Sequence, residues 1–162
     1  MCWQITSTST KQAASRLTKY WNKRIEIFGP NAFQPLLLTS TIGPNIIKGL
    51  SVQFMRLTRT ADSGSRSLLY GEAKRLANAY DKSSNEDRLD IARGVWYLFH
   101  SALEEVEVQK KGMVFLINYK GAEVSILDPK LIRLVAGSVT GCLPVRVGGI
   151  HVCNPRESTS ID

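Results

Sequence analysis

The sequence predicts an α/β fold: a small, mostly parallel β-sheet with flanking helices, preceded by a basic N-terminal helix. Three observations carry this. The apolar run at 113–117 follows Gly112 and shows no polar alternation, the pattern of a central strand covered on both faces. A helix signal comes next, with Asp128 as cap and Pro129 in its first turn. A second apolar run at 149–153 then ends at Asn154-Pro155. Strand, helix and strand in that order form a β-α-β unit, which builds parallel sheets.

The elements read in order as follows. Residues 1–10 are Ser/Thr-rich and expected to be disordered at their start. A helix is expected over 11–28, where Ala14, Leu17, Trp21, Ile25 and Phe28 recur on one stripe, with Arg16, Lys19 and Lys23 on the opposite side. Such a stripe ordinarily docks on the protein's own core; a membrane surface is the alternative. Gly29-Pro30 stops the helix, and Pro30, Pro35, Gly43-Pro44 and Gly49 mark 30–50 as a loop or broken helical connector. Residues 50–58 read as a strand, 62–66 (Asp-Ser-Gly-Ser-Arg) as a polar turn and 67–70 as a short strand.

Ser83 and Glu86 have capping-box spacing. Ala92, Val95, Trp96, Phe99, Ala102, Leu103 and Val106 then recur on one face of a long helix that Lys110-Lys111-Gly112 terminates. After the 113–117 strand, Ile132, Val135 and Val139 form the expected buried stripe of the Pro129 helix, which Gly141 and Pro144 close. The tail 156–162 is polar and expected to be loose.

With 162 residues, 43% of them hydrophobic, the chain has enough for one cored domain. No apolar run reaches the roughly 18 residues of a membrane span, and the first residues lack the pattern of a signal peptide. Cys2, Cys142 and Cys153 show no Cys-x-x-Cys spacing. A reduced, cytoplasmic setting is therefore expected, with peripheral membrane contact allowed and no zinc site. The net charge of +7 is one-sided: residues 1–60 hold eight Lys/Arg against one acid, Glu26, and the rest balances. A solvated helix face is the ordinary meaning of such a stretch; an anionic membrane or nucleic acid is the partner it would suit.

Candidate chemistry is sparse. His151 and Cys153 point the same way on a strand, but a nucleophilic pair also needs an orienting third group and an open cleft. A structural thiol in a core strand is the expected reading. His100 adjoins the buried face of the long helix and reads as a packing or hydrogen-bonded residue. Glu104, Glu105 and Glu107 read as a solvated face. No Gly-x-Gly-x-x-Gly or P-loop is present, and aromatics do not interleave with the basic residues as in a single-strand binder. No enzymatic activity, cofactor or nucleic-acid partner is expected.

The ordered motifs over 98–155 resemble the CRAL-TRIO lipid-binding domain family. They are Glu107-Val-Gln109-Lys-Lys-Gly112, the apolar strand ending Asn118-Tyr-Lys-Gly121, Pro129, Leu143-Pro144-Val-Arg146, and Ile150-His-Val-Cys-Asn154-Pro155. The helix over 13–28 is similar to the last helix of the bundle that precedes such domains, and 62–66 to the family's Asp-x-x-Gly-Arg hairpin. The sequence departs from the pattern at Asn118, where the family has Asp, and at Asn154-Pro155, where a residue is missing.

The resemblance implies a helical remnant and connector over 1–49, a lipid-binding domain over 50–155 whose C-terminal part is missing, and a tail over 156–162. It implies non-enzymatic binding, and transfer between membranes, of a hydrophobic lipid or phosphoinositide in an apolar cavity. Val95, Phe99, Met113, Phe115, Ile117, Val135 and Val139 would line that cavity. The alternative is an adaptor that binds an anionic membrane surface or a protein partner without transferring lipid; Arg16, Lys19 and Lys23 would face the membrane.

Overall fold

The computed structural model describes residues 10–154, the side chains of Arg59 and Val124 excepted. The expected loose start before Thr10, Cys2, Pro155 and the tail 156–162 lie outside the described residues. Helix α1 (Thr10–Phe28) is followed by α2 (Gly43–Ser51) and a hairpin of β1 (Met55–Ala61) and β2 (Ser67–Glu72). Helices α3 (Asn85–Ala102) and α4 (Val106–Lys111) lead into β3 (Met113–Asn118). Helix α5 (Pro129–Val139) and strand β4 (Val147–Cys153) complete the described chain. The sheet order is β1-β2-β3-β4. The hairpin pair is antiparallel, while β2–β3 and β3–β4 are parallel. The sheet is thus mostly parallel, with the 113–117 run as an inner strand.

Helix α1 docks on the core through only part of the expected stripe: Phe28 is buried and Trp21 packs against the core, while Ala14, Leu17 and Ile25 do not. Its buried residues are Tyr20, Arg24, Ile27 and Phe28, while Leu17 and Ile25 are exposed. The cause is Arg24, which a polarity pattern assigns to solvent. Its guanidinium lies against the Tyr20, Trp21 and Phe28 rings. It donates to Tyr20 Oη at 2.7 Å and to the Gln34 carbonyl at 2.5 Å. A long amphipathic side chain whose two terminal nitrogens find acceptors can sit where an aliphatic one was expected, although its Nε is buried without a partner.

Helix α2 occupies the second half of the connector and runs through Leu50 and Ser51, so the following strand begins at Met55 rather than at residue 50. It crosses α3 at backbone contact. A Cβ on Gly49 would stand 1.8 Å from the Asp90 carbonyl oxygen, and one on Gly94 would stand 2.8 Å from the Gly49 carbonyl carbon. The turn joining β1 to β2 is built by Asp62. Its carboxylate accepts from Gly64 N at 3.0 Å, Arg66 N at 2.8 Å and Arg66 Nε at 2.8 Å. Arg66 also donates Nη1 to the Gly148 carbonyl at 3.1 Å, tying the hairpin to β4.

The long helix expected up to Lys111 is two helices. Its cap is Ser84, whose hydroxyl accepts from Asp87 N at 3.2 Å. Glu86 pairs with Arg93 instead of closing a box with Ser83. The break follows Ala102, where Leu103 turns into the core and its carbonyl takes the Gln109 Nε2 donor at 2.7 Å. The helix–strand junction needs Gly112: its φ is +80°, and a Cβ there would stand 2.2 Å from the Arg146 carbonyl oxygen. Asp128 caps α5 as expected, accepting from Lys130 N at 2.9 Å and Leu131 N at 3.2 Å. The buried residues of α5 are Leu131, Val135 and Ser138; Ile132 is exposed and Val139 half-buried. Ser138 wins the inward position because its hydroxyl accepts from Trp96 Nε1 at 2.5 Å and donates to the Leu134 carbonyl at 2.7 Å.

The α2–α3 crossing gives a direct test. Gly49→Ala forces the two backbones apart and is expected to lower stability by about 3 kcal/mol, read as a drop in urea midpoint with an unchanged slope.

Candidate functional site

Of the seven residues predicted to line a cavity, Val95, Phe99, Met113, Phe115 and Val135 are buried in one continuous core. Phe99 on α3 meets Phe115 on β3 with ring centroids 5.8 Å apart. Val139 is half-buried and packs against that cluster, whereas Ile117 is half-buried and outside it. Alternation places Met113, Phe115 and Ile117 on the helix-covered face of β3. Register carries that face outward: Phe115 pairs with Ile150 and Ile117 with Val152.

There the cover ends. Ile150 is 64% exposed and Val152 is 52% exposed. Strand β4, expected to be a core strand, is the edge of the sheet among the described residues, with Cys153 only half-buried and His151 exposed. An edge strand with open apolar side chains has unused burial capacity beside an already packed floor. Sequence reasoning missed Ile150 and Val152 as candidates. The signal was present in Gly148-Gly149 and His151, which interrupt the apolar residues as no two-sided core strand would.

The opposite face of the sheet is different. Val114 is buried but lies outside the continuous core. Arg56 lies over the Tyr70 ring at 4.8 Å, and Asn118 Nδ2 donates to Tyr70 Oη at 2.9 Å. Asn118 Oδ1 accepts from Asn154 Nδ2 and Lys120 N, both at 2.9 Å. The residue that departs from the family pattern is thus an amide using both its donor and its acceptor, which a carboxylate in its place could not do.

The predicted membrane residues separate. Arg16 and Lys19 are exposed, whereas Lys23 is half-buried and paired with Glu26 at 2.6 Å. Lys19 and Lys23 line a half-open cleft of about 250 Å³ between α1 and α5, with Asn22, Glu26, Gly137, Thr140 and Cys142. Burial raises the Cys142 thiol above its ordinary pKa, which leaves it protonated and unreactive.

Two buried ion-pair systems frame the core. Arg88 donates Nε to Asp128 at 2.6 Å, and Tyr80 Oη donates to the same carboxylate at 3.0 Å. Arg93 joins Asp90 at 2.7 Å and the Ile27 carbonyl at 2.9 Å. Asp90 also receives Asn45 Nδ2 at 2.9 Å and Lys48 at 3.0 Å. These groups satisfy one another and leave no oriented nucleophile–base pair within either system. Among the described residues no cluster of His, Cys, Asp or Glu has the arrangement to hold a metal ion. No described helix is long and apolar enough to cross a membrane.

A mostly parallel sheet backed by helices, with Ile150 and Val152 exposed at one edge, makes this an α/β domain. Residues 54–160 match the family model of the CRAL/TRIO domain, and the chain belongs to that family of lipid-binding domains. No curated protein matches it.

His100 packs against Tyr20 and Trp96, with Tyr20 Oη 3.3 Å from its Nε2. Burial, and then the Arg24 charge, lowers its pKa to about 4 from the usual 6.5. Between those two values the unfolded chain binds the extra proton, so stability falls as pH drops from 6.5 toward 4 and is flat above that window. The loss amounts to about 3 kcal/mol when complete. His100→Gln is expected to remove this part of the slope in urea midpoints measured between pH 7 and pH 4.5.

Proposed function

We propose that this chain binds a hydrophobic lipid without catalysis, its acyl portion lying where the packed floor of the sheet runs out into the open. The observation that carries this is the continuity of one apolar face from Met113 and Phe115, through Ile117, to Ile150 and Val152. Val95, Phe99, Val135 and Val139 form the wall behind that floor. Each methylene moved from water onto such a surface contributes about 0.8 kcal/mol, so an acyl chain needs no catalytic or charged group to be held. Transfer of the lipid between membranes, and preference for a phosphoinositide, rest on the cationic face of α1, where Arg16 and Lys19 stand exposed beside the polar cleft.

Native mass spectrometry after incubation with mixed phospholipid vesicles tests this. The expected result is a phospholipid-sized adduct, reduced about tenfold in Ile150→Asp or Val152→Asp, since a carboxylate opposes burial under an acyl chain. Both positions are exposed, so the variants fold. A protein that acquires no lipid overturns the reading. Binding to phosphoinositide vesicles that depends on Arg16 and Lys19, with no lipid carried into solution, would favour the adaptor.

A further inference from the structure

Helix α1 enters the core at Tyr20, and there it meets a histidine. Residues 10–19 of the helix are exposed, apart from the half-buried Ala13. Its buried side chains are Tyr20, Arg24, Ile27 and Phe28. The Tyr20 ring lies against Trp96 and His100 of α3, with centroids 5.5 and 5.9 Å away. Trp96 and His100 are themselves 5.8 Å apart, so the imidazole is held between the two aromatic rings.

This contact has a polarity. A guanidinium only donates. Arg24 Nη1 donates to Tyr20 Oη at 2.7 Å, and the proton of that hydroxyl is left for His100 Nε2, 3.3 Å away. Nε2 receives it only while it carries no proton of its own. A protonated imidazole replaces this acceptor with a donor and sets a second cation beside Arg24. Arg24 is already incompletely solvated, because its Nε is buried with no partner. Among the described residues no acid is placed to compensate. Glu26 of α1 is held by Lys23 at 2.6 Å. Glu104, one turn beyond His100, is exposed and past the end of α3. Helix α5 reaches Trp96 with the uncharged Ser138 hydroxyl.

The other attachments of α3 do not share this weakness. Burial alone would raise the Asp128 carboxyl, but Arg88, the Leu131 N–H and Tyr80 hold it below the ordinary value. The Arg88–Asp128 clamp therefore keeps its charges in mild acid. At the far end of α1, Arg93 holds the Ile27 carbonyl at 2.9 Å, a bond in which nothing titrates there. A proton on His100 thus acts on one seam, the one that fastens the first half of α1.

We propose that Tyr20, Arg24 and His100 form an acid-labile latch: protonation of His100 releases α1 from α3 as far as Arg24, while the rest of the fold stays closed. Release uncovers Trp96, and it dismantles the cleft between α1 and α5, because Lys19 and Lys23 leave with the helix. The latch rests on the α1–α3 seam and not on the lipid-binding reading.

Hydrogen exchange of the full chain at pH 7.5 and pH 5, corrected for the intrinsic pH dependence of the amides, tests it. With His100 at about 4 in the closed state and 6.5 when released, the opening constant of amides 14–24 is expected to rise about thirtyfold. Amides of β3 and α5 are expected to keep theirs. His100→Gln, whose side-chain oxygen accepts from Tyr20 without ionising, is expected to abolish the rise. A second reading needs no variant: His100 and His151 are the two histidines of the chain, and the exposed His151 serves as the internal standard. The His100 ring proton in NMR is expected to titrate at least one pH unit below that of His151. An equal rise in every element overturns the latch, since it reports global unfolding. So does no rise in α1, a rise that persists in His100→Gln, or a His100 that titrates together with His151.

Discussion

The structure depends on the middle of α3 being buried on every side. Residues 90–96 are all buried, and the helix touches α1, α2, α5 and the sheet. That stretch has no solvent face, so each polar group on it must find a partner within the protein. Arg88 reaches Asp128 at the start of α5, Arg93 reaches the Ile27 carbonyl at the end of α1, and Asp90 receives Asn45 and Lys48 from α2. Every neighbouring helix is thereby tied to α3 by a charged group as well as by packing. The glycines at 49 and 94 allow the closest of these approaches.

The same burial shapes the proposed ligand surface. Met113 and Phe115 are buried, with Phe99 of α3 packed on Phe115, so that half of the floor is closed and behaves as core. Helix α5 leans on α3 through the Trp96–Ser138 hydrogen bond, and the outer part of the floor stays open at Ile150 and Val152. A packed floor beside an open one is a preorganised surface: an apolar ligand lying on it buries area without first separating close-packed side chains.

Much of this was legible in the chain. The inner strand, the Asp128-Pro129 helix start and the Asp62–Arg66 turn are local signals, fixed by residues within a few positions of one another. The errors share a physical origin. Hydropathy reports which side chains gain by burial, while tertiary packing decides which are covered. Arg24 is buried because rings and a carbonyl converge on it, and Leu17 and Ile25 on the same helix are exposed because nothing does. Ser138 displaces Ile132 from the inner face of α5 through a partner 42 residues away in sequence. Strand β4 read as core from its valines and isoleucine, yet its place at the edge follows from sheet order, which no local pattern contains. Among the candidate residues, the buried wall could be read from periodicity; the open face could not.

The central claim is that an apolar ligand lies on the outer part of the floor. Methyl-resolved NMR during titration with a short-chain phospholipid below its critical micelle concentration tests it most directly. The account predicts saturable shifts at the methyls of Ile117, Ile150 and Val152, with smaller ones at Val139 and none on the far face at Val114 and Leu116. Shifts centred on Val114 and Leu116, or no saturable shift anywhere on the sheet, would contradict it.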